Sequence, residues 1–139
     1  MDLSNQWTSN IVYIMEYANK KNREGQIYPI WATCLGYKTL MFITSGSTDK
    51  KTVFTDVTGQ DGKTCPLIVQ NENSELLHSL NTYEYNDAIT GDGIFFFHHL
   101  RAILLETYHS NKIWKDVWNL ISTSKLENGT EFLTTLESK

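Results

Sequence analysis

Segments with helical spacing alternate with short β-rich runs along this 139-residue chain, and that alternation predicts an α/β layered fold. Three observations carry the prediction. Trp7, Ile11, Ile14, Met15 and Ala18 recur at helical spacing near the start. An apolar run from Tyr28 to Ala32 ends at Thr33-Cys34-Leu35-Gly36 and leads into a helix-compatible segment. Ile94-Phe95-Phe96-Phe97 is a continuous apolar run of the kind that forms a strand covered on both faces.

The elements follow in order. The first helix is expected from Ser4 to Lys21, stopped by Gly25. Gln26 to Thr33 reads as a strand and Leu35 to Thr44 as the helix after it, followed by the polar turn Ser45-Gly46-Ser47-Thr48-Asp49. Short strands are expected at Thr52 to Val57 and Pro66 to Gln70, on either side of a Gly59-Gln60-Asp61-Gly62 turn. Ser74 is a good N-cap for a short helix through Leu80, and Asn81 to Gly93 reads as a polar loop. Asn111 can cap a helix whose apolar stripe is Ile113, Trp114, Val117, Leu120 and Ile121. Asn128-Gly129 is a turn before a last strand, Thr130 to Leu136. Asn128-Gly129-Thr130 also matches an N-glycosylation sequon, with the turn as the simpler reading.

Length and composition narrow the function classes. At 40% hydrophobic and 20% charged residues, the chain has the make-up of one globular domain spanning 1–139. A net charge of −4 gives no support for nucleic-acid binding. No apolar run approaches the roughly 18 residues of a membrane span. Met1 to Thr8 lacks the basic start and apolar stretch of a signal peptide. Two cysteines, Cys34 and Cys65, do not make a disulfide framework. His98-His99 are sequential and point in different directions, so no metal site is expected.

Chemistry concentrates at Cys34. An isolated free cysteine is usually a small buried hydrophobe. Here it stands at the corner of a strand-turn-helix order, the cysteine counterpart of the nucleophile elbow of serine hydrolases. The following helix directs its free N–H groups and positive dipole end toward the sulfur, favouring negative charge there. Leu35, directly after the corner, would offer a backbone N–H to an oxyanion, and Gly36 would leave room in the turn.

Pro29-Ile30-Trp31-Ala32-Thr33-Cys34-Leu35-Gly36-Tyr37 resembles the nucleophile segment of the γ-glutamyl hydrolases, cysteine peptidases of the class I glutamine amidotransferase-like group. Pro66-Leu67, Ser74 to Leu80, Phe97-His98-His99 and Asn119 to Glu137 resemble later family segments in the same order, so the likeness runs from about Gly25 to the C-terminus. It implies a partial flavodoxin-like layered fold and thiol-dependent hydrolysis of γ-glutamyl bonds in folate poly-γ-glutamates. By the same resemblance Cys34 is the nucleophile, Leu35 the oxyanion donor, Gly36 the elbow glycine and His98 a substrate-binding residue. No cofactor is implied, and the setting is lysosomal, vacuolar or secreted.

The departures matter as much. Ala32 replaces the elbow's usual glycine, and Lys38 stands where the family commonly has an acidic residue. The family's general-base histidine lies in a Trp-His-Pro-like segment beyond the strand resembling Thr130 to Leu136, and Lys139 precedes any such segment. A Pro-Gly-Gly-like loop carrying the second oxyanion donor precedes the segment resembling Ser4 to Lys21 and has no counterpart in this sequence. Two expectations follow: a γ-glutamyl hydrolase-type enzyme acting on a γ-glutamyl small molecule, with the isolated chain inactive, or a catalytically inactive remnant serving as a structural or interaction subunit. Sheet edges would carry homo- or hetero-oligomer contacts in the second case.

Overall fold

The computed structural model describes residues 5–57, 62–78, 91 and 95–139. Within them the chain is mixed α/β, built from helices and small antiparallel sheets. It divides into two compact units, Met1–Lys50 and Lys51–Lys139.

The first unit is a pair of helices, α1 (Gln6–Arg23) and α2 (Leu35–Thr44), which pack on each other. Asn5 caps α1, its side chain accepting a hydrogen bond from the Thr8 N–H at 2.8 Å. Gly25 stops it as the sequence predicts, at φ +79°. The Gln26 N–H donates to the Lys21 carbonyl at 3.0 Å and the Gly25 N–H to that of Asn22 at 3.1 Å. That pair of bonds is the Schellman closure, which needs a left-handed residue and therefore favours glycine. The buried face differs from the expected stripe. Thr8 and Ala18 are buried and Ile11 and Met15 partly so, whereas Trp7 and Ile14 are exposed together with Tyr13 and Tyr17. On α2 the buried residues are Thr39, Met41 and Phe42.

The strand expected at Gln26 to Thr33 is not formed: among the described residues nothing pairs with this segment in a ladder. A strand is defined by its partner, and one-sided apolar character does not supply one. Instead the Asn22 side chain takes the partner's place at one residue. The Tyr28 N–H donates to Asn22 Oδ1 at 2.7 Å, and Asn22 Nδ2 donates back to the Tyr28 carbonyl at 3.3 Å.

The second unit is built around a three-stranded antiparallel sheet. Its strands are β3 (Ile68–Val69), β6 (Trp118–Lys125) and β7 (Glu131–Ser138), in the order β3-β6-β7. Two smaller pairs join β1 (Thr55–Asp56) to β5 (Arg101–Ala102), and β2 (Lys63–Thr64) to β4 (Phe96–Phe97). A 3₁₀ turn at Lys50–Thr52 stands where the first short strand was expected to begin. Of the expected Gly59 to Gly62 turn only Gly62 is described, at φ +75°, and the loop expected from Asn81 to Gly93 lies outside the described residues except for Gly91. Phe96 and Phe97 do form a strand, yet Phe96 is 62% exposed, so this strand is not covered on both faces. Ile94 lies outside the described residues.

Helix α3 (Glu75–His78) is capped by Ser74, whose Oγ accepts from the Leu77 N–H at 2.9 Å. Helices α4 (Leu105–Ser110) and α5 (Lys112–Val117) meet at Asn111, which caps α5 by accepting from the Trp114 N–H at 3.0 Å. Helix α5 is shorter than predicted. The chain turns into β6 at Trp118, so Leu120 and Ile121 are strand residues, and Ile113 and Val117 are exposed. Only Trp114 of the expected stripe is a buried helical residue. The spacing of Leu120 and Ile121 continues a helical stripe on paper, but adjacent apolar residues also fit a strand buried on both faces. Pairing with β7 decides between them. An extra residue in β6 at Ile121 is offset by one in β7 at Thr134, and the Ile121 carbonyl accepts from the Gln70 N–H at 2.8 Å.

Val57, Ala102 and Phe132 form a buried cluster with Phe97, Leu104 and Leu126 packed against it. The Phe97 and Phe132 rings meet edge to face at 5.3 Å.

Candidate functional site

The corner expected at Cys34 is present even though the strand before it is not. Cys34 lies immediately ahead of α2 with φ 50° and ψ −113°. It is the one non-glycine with positive φ among the described residues. For a residue with a Cβ this conformation is outside the ordinary allowed regions and costs on the order of 1–3 kcal/mol. The turn closes through Thr33, whose carbonyl accepts from the Gly36 N–H at 2.9 Å and the Tyr37 N–H at 3.4 Å. The Lys38 N–H donates to the Cys34 carbonyl at 3.0 Å, which starts the helical ladder.

These bonds account for the first N–H groups of α2 except one. Among the described residues no acceptor meets the Leu35 N–H, and Cys34 provides no side-chain cap. The thiol is exposed, whereas Cys65, the other free cysteine, is buried. The corner thus joins an accessible sulfur, an unspent N–H on the next residue and the positive end of a ten-residue helix.

Gly36 has a different place from the one expected. A Cβ on it would meet the Ala32 Cβ at 3.7 Å, an ordinary contact, so it does not relieve a crowded turn. Its φ is not among the positive values.

One residue that sequence reasoning passed over stands a single helical turn beyond the sulfur. Tyr37 is half-buried as a residue, but its hydroxyl is fully covered and has no hydrogen-bond partner among the described residues. Burial pushes its phenol well above the ordinary tyrosine range. Nothing in the local sequence marks this position, because an orphaned hydroxyl is a property of packing.

His98 belongs to the second unit, just after β4. Strand alternation sorts the residues around it. His98 is exposed and stacks on exposed Phe96 with ring centres 6.2 Å apart, while His99 is half-buried and edge-on to Phe97 at 5.7 Å. The two histidines therefore part to opposite sides, as sequential strand residues do. His78 ends α3 and His109 lies in α4, both exposed. Cys34, Leu35 and Gly36 are gathered in the first unit, and His98 is held by the second. Among the described residues no three His, Cys, Asp or Glu side chains gather as metal ligands would. No described helix is long and apolar enough to cross a membrane.

No protein-family model matches the sequence. A curated protein, γ-glutamyl hydrolase B of Dictyostelium discoideum, is 26% identical over 136 residues. The relationship is a distant γ-glutamyl hydrolase-like one. The matched stretch takes in 96% of this chain and 38% of that protein, so the chain spans well under half of its relative's length.

Proposed function

We propose that the chain carries the nucleophile portion of a γ-glutamyl hydrolase-type cysteine peptidase of the class I glutamine amidotransferase-like fold. The observation that carries this reading is the strained, exposed conformation of Cys34 directly ahead of α2, beside an N–H that no described acceptor uses. Backbone strain persists only where the surroundings hold it, and it clusters at reactive corners.

In this reading Cys34 Sγ attacks the γ-amide carbonyl of a γ-glutamyl substrate and forms a thioester with the glutamyl acyl group. The C–N bond breaks, the amine leaves with the thiol's proton, and water then releases the glutamyl acid. The Leu35 N–H stabilises the oxyanion, and His98 contacts the glutamate portion of the substrate. Gly36 belongs to the elbow by resemblance. No metal or organic cofactor takes part in these steps. No described residue is assigned as the general base, and nucleophile, base and oxyanion hole act as a unit, so hydrolysis by this chain alone is expected to be slow.

A specific observation favours a second reading, a catalytically inactive remnant acting as a structural or interaction subunit. Residues 26–33 join no ladder among the described residues, and they expose Ile27 at 95% and Trp31 at 76%, with Ile30 and Tyr28 beside them. An exposed apolar segment outside any ladder can pair with another chain.

A γ-glutamyl diazoketone separates the two. The first reading expects covalent labelling at Cys34, lost in Cys34→Ala, with Cys65 untouched. If a simple alkylating agent modifies Cys34 while the glutamate analogue does not, the sulfur is accessible but not activated, and the subunit reading replaces the first.

A further inference from the structure

We propose that Asn128 is an acceptor site for an N-linked glycan. The proposal is independent of the role given to Cys34. Asn128-Gly129-Thr130 is the one N-x-Ser/Thr sequence in the chain. It falls at the tip of the β6–β7 hairpin, where Glu127, Asn128 and Gly129 are all exposed.

The loop's geometry fixes which end of the Asn128 amide is available. The Gly129 N–H donates to the Leu126 carbonyl at 2.9 Å, and the Leu126 N–H donates to that of Thr130 at 2.8 Å. Gly129 takes φ +85°, so this is a three-residue hairpin loop closed by a left-handed glycine. Inside it the Thr130 N–H donates to Asn128 Oδ1 at 3.0 Å. A backbone N–H can meet only the oxygen of that amide, so the assignment of oxygen and nitrogen is not arbitrary. Nδ2 is left on the opposite side, and among the described residues nothing bonds to it. The Asx turn also joins the sequon's first and third residues, and it forms within five residues of local sequence. Space is open around it: a Cβ placed on Gly129 would meet nothing within 4 Å.

A lipid-linked oligosaccharide pyrophosphate supplies the sugar. The Asn128 Nδ2–C1 bond forms, the C1–oxygen bond to pyrophosphate breaks with its electron pair leaving on the phosphate, and Nδ2 gives up one proton. The hydrophilic product sits on the exposed tip without displacing the Phe132 side of the hairpin, which is buried.

The test is translation of the full chain behind a cleavable secretion leader in the presence of endoplasmic-reticulum membranes. A single upward mobility step is expected, reversed by peptide-N-glycosidase, absent in Asn128→Gln and in Thr130→Ala, and retained in Thr130→Ser. Mass spectrometry after the glycosidase should place the resulting aspartate at position 128. Failure of the parent chain to shift in membranes that glycosylate a control protein would overturn the proposal. So would a shift that persists in Asn128→Gln.

Discussion

Both units pair buried hydroxyls, the first tying Thr39 and Ser45 to helix carbonyls, and they differ at one atom. In the second, the hydroxyls within the sheet are matched. Ser122 and Thr134 bond at 2.8 Å, and Thr123 donates to Glu131 at 3.2 Å while accepting from Gln70 at 3.0 Å. Ser124 donates to the Pro66 carbonyl at 2.7 Å, and Tyr108 donates to that of Trp118 at 2.8 Å. In the first unit, Tyr37 is left with a covered and unmatched hydroxyl. The same contrast holds for backbone strain. Where the second unit turns sharply it uses Gly62 and Gly129, whereas the first, besides Gly25 and Gly46, spends a positive φ on Cys34. Both unfavourable choices lie within one turn of helix α2. Costs of this kind cluster where function rather than stability sets the residue.

The strongest way to break that comparison is Cys34→Gly. Glycine occupies this conformation without a Cβ clash, so the variant should be more stable by roughly 1–3 kcal/mol, read by urea unfolding. Cys34→Ala keeps the Cβ and should show no such gain. Equal stabilities for the two would mean that the corner holds no strain.

Tyr37→Phe comes next. Removing a buried hydroxyl that lacks a partner should stabilise the chain by about 1 kcal/mol or more. It should also change the alkaline limb. Burial raises the phenol's pKa in the folded state, so the unfolded chain loses this proton first as pH rises. The proton-linked stability is therefore complete below about pH 10, the unfolded value, and falls above it. The wild-type chain should lose stability with pH in that range more steeply than Tyr37→Phe. Tyr108, whose phenol burial also raises while a hydrogen bond from the Leu120 backbone N–H opposes the shift, contributes a slope common to both proteins.

Gly129→Ala sharpens the other side. At φ +85° an alanine should cost about 1 kcal/mol, with no steric addition because the space around it is open. The second unit's turn should thus be hurt by acquiring a Cβ, and the first unit's corner helped by losing one. Unfolding curves of both variants measured side by side give the two signs directly.

Local signals were the legible part of this chain. Gly25 as a helix stop, Ser74 and Asn111 as caps, the Asn128-Gly129 turn and the corner at Cys34 all follow from residues within a few positions of one another. What the sequence did not reveal depends on distant partners. Residues 26–33 look like a strand, but among the described residues no neighbour pairs with them. Leu120 and Ile121 fit a helical stripe as well as a buried strand, and β7 settles the matter from a dozen residues away. At the candidate site, Cys34 and Leu35 stand out in the sequence because order along the chain suggests an elbow. The Tyr37 hydroxyl does not, since covering an atom is the work of the whole surrounding fold.

The torsion at Cys34 has one more consequence. Its ψ angle orients the peptide plane it shares with Leu35, so the direction of the Leu35 amide hydrogen relative to the Cβ that carries the sulfur is set by one rotation. Were the cysteine to relax into an ordinary basin, that plane would swing with it and the pair would fall out of alignment together. Relaxation at Cys34 alone would therefore re-aim the Leu35 N–H.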